Sequence, residues 1–432
     1  MTIRSLVAAV TLALAAVVSA SPAAAQASLD NIRADWRARK YPQTYEATEE
    51  YRKQPYGKQL EVYYMGGTSL CRIQGDADLG TKYMQWILDN FWLTRKDIDT
   101  VQQELAVCRT ATAPSRLPVY INFATTMAVA GSSGRTKMFY FVGGNNALKS
   151  EPVQIVREVP RDELDRRLFR EGQTPQAKDA VRRLIGANGR SEASKHFAVA
   201  STTHSVEQLR SIGEQLDTVY DFFIARYGMR APETLISVYL VPNASAFQAL
   251  SVALHGIKVS PQSIGYSYQA DMSMVGIIPG PQIGTLQHEL FHLMVRNDFG
   301  DIPPWLDEGM AALYEVAQVG PDEVRGLPNW RGQVLSELSG LQPSVEQLIK
   351  MNWFAFSGGE QEFNTERQAA QHAKARYLIL YLQNQGMLVP VYRAFQSREI
   401  GSDPVALLSA TLKKPLPAVE SDFQAWFKTM PR

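Results

Sequence analysis

Two histidines four residues apart, with a glutamate directly after the first, stand in Gln287-His288-Glu289-Leu290-Phe291-His292. On a helix, residues i and i+4 share a face. His288 and His292 therefore aim at one spot, and neutral imidazoles are good ligands for zinc. Glu289 lies beside the first ligand, where its carboxylate can reach a water on the metal as general base. The bland alternative is a pair of core histidines on an amphipathic helix whose apolar face is Leu286, Leu290, Phe291 and Met294. The chain has six histidines in 432 residues, and the pattern arises by chance roughly 0.005 times in such a chain. The reading adopted is zinc.

A catalytic zinc wants three protein ligands and an open position. Sixteen residues after His292 comes Glu308, within Pro303-Pro304-Trp305-Leu306-Asp307-Glu308-Gly309. The prolines suit the start of a second helix, and Asp301 with them supplies a turn that folds Glu308 back beside the histidines. Asp307 is the rival third ligand. Glu308 as a solvated first-turn acid, favoured by the helix dipole, is the plain alternative.

HELFH followed by PPWLDEGMAALYE resembles the gluzincin metallopeptidases, the superfamily of thermolysin and aminopeptidase N, and in particular the peptidase MA-like family of exported bacterial proteins. The likeness covers about residues 195–430. It includes the run from HFAVAST to VYLVPNASAF, the GIIPG strand before the metal helix, and the tail from PSVEQLIKMNWFAF to YLILYLQNQG. The resemblance implies that His288, His292 and Glu308 bind zinc, that Glu289 is the catalytic base, and that the substrate is a peptide or protein. It also implies a donor to the oxyanion, a role that His372 can fill from the helix that ends in Tyr377-Leu378, with Tyr377 and Tyr381 as rivals. In thermolysin-like enzymes an Asp one turn after the glutamate ligand orients a ligand imidazole. Here that position is Ala312, and Glu315, two turns on, is the candidate replacement. In gluzincins the strand before the metal helix is a sheet edge that pairs with extended substrate. That strand would be Met274–Ile278, with Gly276 admitting a second backbone or marking a bulge. No G-x-M-x-N motif of the aminopeptidase-N type is present.

The elements that must position these residues are legible from residue 195 onward. His196–Ala200 reads as a strand. Ser205 with Gln208 forms a capping box for a helix ending at Gly228. Leu235–Val241 is a buried strand, and Tyr266–Tyr268 with Met274–Ile278 a hairpin. From residue 283 the chain reads as mostly helical, with Ser344/Gln347 and Asp403-Pro404 as further helix starts. His196, His204 and His255 have no ligand spacing and read as structural or exposed.

Residues 28–190 carry weaker signals. Tyr83–Trp92 has a helical face, and Val119–Phe123 and Met138–Val142 read as strands. Gly131-Ser132-Ser133-Gly134 lacks the spacing of a phosphate loop and reads as a turn between them. Residues 160–187 read as charged helices, with Thr174-Pro175 as a start. Gly186–Ser194 is the expected linker. The many aromatic residues of 28–160 read as core rather than as a binding platform.

Lys+Arg total 44 against 43 Asp+Glu, so nothing marks a nucleic-acid binder. Arg4, the apolar run Leu6–Ala20 and the Ala25-Gln26-Ala27 end have the layout of a cleavable signal peptide over residues 1–27, too short to span a bilayer. After cleavage no stable membrane insertion is expected. Export favours pairing Cys71 with Cys108, the only cysteines. The expected protein is α+β: an N-terminal domain over 28–190, then a gluzincin-like domain over 191–432 with a small mixed sheet, the HExxH helix and a helical C-terminal lobe. The expected function is an exported zinc-dependent peptidase. The alternative is a periplasmic or cell-surface binding protein whose zinc is structural or vestigial.

Overall fold

The computed structural model describes residues 28–54, 57–73, 76–91, 93, 95–110, 118, 137–142, 147–152, 154–259, 264–278, 280, 282–320, 323–356 and 365–430. The expected signal peptide, the strand Val119–Phe123 and the turn Gly131–Gly134 lie outside them.

Among the described residues, five helices come first: α1 (Leu29–Arg37), α2 (Tyr41–Arg52), α3 (Leu60–Leu70), α4 (Ala77–Asn90) and α5 (Arg95–Cys108). Their core is aromatic, with Trp36, Tyr63, Tyr64, Tyr83, Trp86 and Phe91 buried together. Cys71, capping α3, is disulfide-bonded to Cys108 at the end of α5. A fully buried Arg72–Glu104 ion pair (2.7 Å) joins the same two helices. A hairpin follows, β1 (Lys137–Val142) with β2 (Ala147–Pro152), the first matching the expected strand Met138–Val142. Next come β3 (Gln154–Ile155), α6 (Arg161–Asp165) and α7 (Thr174–Ile185), the last with its proline in the first turn.

The central sheet has five strands in the order β4-β5-β6-β9-β8. These are β4 (Arg190–Ala193), β5 (Phe197–Ser201), β6 (Ile236–Val241), β8 (Gly265–Tyr268) and β9 (Ser273–Ile277); β7 (Ile257–Lys258) pairs separately with β3. β5, β6 and β9 are parallel, and β4 and β8 flank them antiparallel. The sheet is therefore mixed, as expected. The parallel strands read as continuous apolar runs because both faces are covered. Val199, Ile236, Val238 and Met274 face α8 (Val206–Tyr227). Ala198, Ala200, Tyr239 and Val275 face α7 and α9 (Ala244–His255).

The expected linker Gly186–Ser194 is not one. Its middle, Arg190–Ala193, is strand β4, paired with β5. Ala177 and Val181 of α7 share a core with Ala198 and Leu235, so buried contacts run across residue 190. Glycines and polar side chains gave the segment a loop-like composition, but an exposed edge strand tolerates the same residues.

α8 begins with the Ser205/Gln208 capping box and ends at left-handed Gly228. The helices that carry the candidate ligands are α10 (Gly284–Asp298) and α11 (Pro304–Glu315). Then come the hairpin β10 (Ala317–Val319) and β11 (Val324–Gly326), and α12 (Arg331–Glu337), α13 (Val345–Ile349), α14 (Trp353–Phe356), α15 (Thr365–Asn384), α16 (Leu388–Gln396), α17 (Pro404–Leu412) and α18 (Leu416–Phe427). Capping by Ser344 and Asp403 starts α13 and α17. No helix among the described residues is long and apolar enough to cross a membrane.

Candidate metal centre

α10 packs on the β8–β9 side of the sheet, with Leu286, Leu290, Phe291 and Met294 in the main core. The apolar face and the histidine face are thus both used, and the helix need not choose between them. His288 and His292 come together with Nε2 atoms 3.1 Å apart. Glu308 arrives from the second turn of α11, with its Oε1 3.8 Å from His292 Nε2. One ligand atom from each of the three lies within 4.8 Å of the others, and His292 and Glu308 are buried. A four-coordinate ion bound at roughly 2.0–2.2 Å needs ligand atoms about 3.3–3.6 Å apart. The 3.1 and 3.8 Å separations bracket that spacing, and the three side chains could hold one metal ion.

Gly309, next to Glu308, lets α11 approach α15 closely. α11 runs against α15, and a Cβ on Gly309 would sit 2.6 Å from Ile379 Cγ1 and 3.0 Å from the Ala375 carbonyl oxygen. Only a residue without a side chain permits that approach.

Asp307 is not a ligand. It is fully buried and points to the far side of His292, where Nδ1 donates to Oδ1 at 2.7 Å. An ionised carboxylate only accepts, so the ring proton sits on Nδ1 and the Nε2 lone pair faces His288 and Glu308. Arg296, one turn after His292, reaches Asp307 Oδ2 at 3.4 Å. Burial alone would raise the Asp307 carboxyl; His292 and Arg296 outweigh it and hold it below the usual carboxylate range.

Glu315, the candidate replacement for Ala312, lies near His288. Its Oε2 lies 3.9 Å from His288 Nδ1 and accepts from Arg331 at 2.6 Å. That is a charge partner across a gap rather than a hydrogen bond. Arg296 and Arg331 were missed in the sequence. Arg296 was findable from its i+4 spacing to His292; Arg331 arrives through tertiary folding alone.

Glu289 is buried, and its Cγ packs against Gly265 of β8, 3.7 Å from where a Cβ there would stand. The base candidate thus sits between the metal helix and a sheet edge. That edge is β8. The expected edge strand, Met274–Ile278, is interior, paired with β6 on one side and β8 on the other. Gly276 serves packing instead: Leu286 Cδ2 of α10 lies 3.2 Å from its absent Cβ. A hairpin always leaves one strand outermost, and its sequence does not say which.

His372 is brought to the site. It lies two turns inside α15 rather than at a helix start, with Nδ1 3.8 Å from Glu308 Oε2 and its ring against Phe356. The rivals are elsewhere. Tyr377 donates to the Asn329 carbonyl at 2.9 Å, and Tyr381 packs on Phe423 and Trp426. The other histidines stay away from the metal cluster. His196 stacks on Tyr220 beside Asp221, His204 meets Ser201, and His255 is buried between Tyr266 and Asp271.

No protein-family model matches the chain, and no curated protein matches it significantly.

Proposed function

We propose that the chain is an exported, zinc-dependent peptidase of the gluzincin type. The observation that carries this reading is the His288–His292–Glu308 cluster with Glu289 in the adjacent helix position. A purely structural site has no need of that glutamate. The disulfide is compatible with an oxidising compartment.

His288, His292 and Glu308 would hold the zinc. When bound, zinc supplies Lewis acidity and draws the pKa of a coordinated water towards about 7. Glu289 takes the attacking water's proton and hands it to the leaving amine. His372 presents an imidazole donor to the carbonyl oxygen as charge develops there. Asp307 keeps His292 in the tautomer that leaves Nε2 free to coordinate. The outer strand β8 would align an extended peptide by backbone pairing next to Glu289.

The test is Glu289→Gln. It keeps shape and ligands but removes the base, so zinc should stay bound while peptide hydrolysis falls by about 10²–10⁴-fold. Undiminished hydrolysis would refute the mechanism. If chelation lowers thermal stability strongly and the wild type cleaves nothing, the zinc is structural.

A further inference from the structure

We propose that the N-terminal helical layer α1–α5 is a working part of the metal centre, with Asp301 as the positioning residue through which α3 and α4 set the spacing of the two ligand-bearing helices. The proposal rests on the reading of His288, His292 and Glu308 as metal ligands.

The ligands come from two helices, and only residues 299–303 join them. That short turn is gripped by residues far away in sequence. Asp301 is 1% exposed, and its Oδ2 accepts from Tyr63 Oη of α3 at 2.8 Å and from Trp86 Nε1 of α4 at 3.1 Å. Lys58 Nζ lies 3.9 Å from the other carboxylate oxygen. The Lys58 main chain presses on the same turn, since a Cβ on Gly300 would fall 2.1 Å from the Lys58 carbonyl oxygen. Arg398 completes the grip, donating to the Asp301 carbonyl and to Asn90 Oδ1 of α4, both at 2.6 Å, with its guanidinium over the Trp86 ring.

Burial alone would raise the Asp301 carboxyl, but Lys58 and Arg398 hold it below the usual range, so the side chain is ionised. An ionised carboxylate stripped of its donors is costly in the interior and relaxes by moving towards water. Asp301 lies within the turn between α10 and α11, and its main chain is held there by Arg398, so such a movement pulls on the turn. Metal-ligand distances tolerate an error of about 0.2 Å, so a small shift of that turn is felt at the metal.

The experiment is cobalt(II) and zinc titration of the full chain, beside thermal unfolding, for the wild type, Tyr63→Phe, Tyr63→Phe/Trp86→Phe and Trp36→Phe. Trp36 is the control: it belongs to the same layer and donates a buried hydrogen bond to Thr68 at 2.9 Å, away from the turn. The expected result is a three- to tenfold weaker metal affinity in Tyr63→Phe, more in the double variant, with a changed cobalt absorption spectrum. This lies below the roughly 10–100-fold typical of groups that touch a ligand directly. Trp36→Phe should lower the melting temperature comparably and leave metal affinity unchanged. Equal affinity in all variants would overturn the proposal, as would equal weakening in Tyr63→Phe and Trp36→Phe, which marks general loss of stability. A wild type that binds neither metal would instead overturn the metal reading beneath it. The single Tyr63→Phe variant removes one hydroxyl and keeps the test open if the double variant does not fold.

Discussion

Asp307 offers the sharpest quantitative test of the metal centre. Its carboxylate is fully buried, accepts from His292 Nδ1 at 2.7 Å and is charged. A hydrogen bond to a charged group contributes about 1.5–3 kcal/mol. At about 1.4 kcal/mol per decade, that is roughly 10- to 150-fold in an equilibrium constant. Part of the bond exists before metal binds, so the effect on affinity falls short of the upper limit. Asp307→Asn keeps the shape and an acceptor but loses the charge, and should weaken zinc about tenfold. Asp307→Ala also loses the acceptor and should approach about 100-fold, the usual range for such partners. Arg296→Gln, which loses the 3.4 Å contact to Asp307, should cost less than about threefold by the same scale. The assay is competition for zinc against a chromophoric chelator, with circular dichroism to establish that each variant is folded. Folded Asp307→Asn and Asp307→Ala proteins that both bind zinc within twofold of the wild type would refute the reasoning.

Three further outcomes follow from packing, crosslinking and buried charge. Helix propensity alone would make Gly309→Ala more stable by about 1 kcal/mol, but the 2.6 Å approach of Ile379 Cγ1 should make it about 1–3 kcal/mol less stable. Urea unfolding decides the sign, and a stabilised variant would show that α11 and α15 are not so tightly apposed. The Cys71–Cys108 crosslink spans 37 residues, which corresponds to about 4 kcal/mol in the chain-entropy account. Cys108→Ser should lose most of that, and an unchanged denaturation midpoint would contradict it. Asp271 is buried, which would raise its carboxyl, but His255, Ser273 and Arg167 hold it below the usual range, with Tyr239 and Tyr268 nearby. Its charge stabilises the fold above the unfolded pKa of about 3.9 and ceases to as pH falls through the lower folded value. Melting curves of Asp271→Asn should therefore show a deficit at pH 5–7 that closes below about pH 4; a deficit independent of pH would exclude the ionised form as its cause.

The candidate metal cluster was legible because helical spacing is a local property. Four residues place His288 and His292 on one face whatever surrounds them. Capping boxes at Ser205 and Ser344, and strands that read as unbroken apolar runs, were legible for the same reason. What failed was set by distant partners. The role of Asp307 depends on which way a helix turns its first face, and two adjacent carboxylates look alike in sequence. Whether β8 or β9 is outermost depends on the order of strands, not on their residues. β4 looked like a linker because an edge strand need not be apolar. Asp301 looked like an ordinary turn residue; its donors Tyr63 and Trp86 lie more than 200 residues away. Tyr377 and Tyr381 matched a helix position but face Asn329 and the C-terminal helix, leaving His372 to approach Glu308.

The central claim is that His288, His292 and Glu308 hold a zinc ion that works with Glu289 on peptide bonds. Its most direct test is one preparation of residues 28–432, assayed for bound zinc by elemental analysis and for cleavage of a mixed peptide library. The assay is run with and without chelator, beside Glu289→Gln. The expected result is one zinc per chain, cleavage abolished by chelator and restored by zinc, and a Glu289→Gln protein that keeps the metal and cleaves at least about 100-fold more slowly. A chain that binds no zinc after reconstitution, or cleavage that persists in chelator, would contradict it.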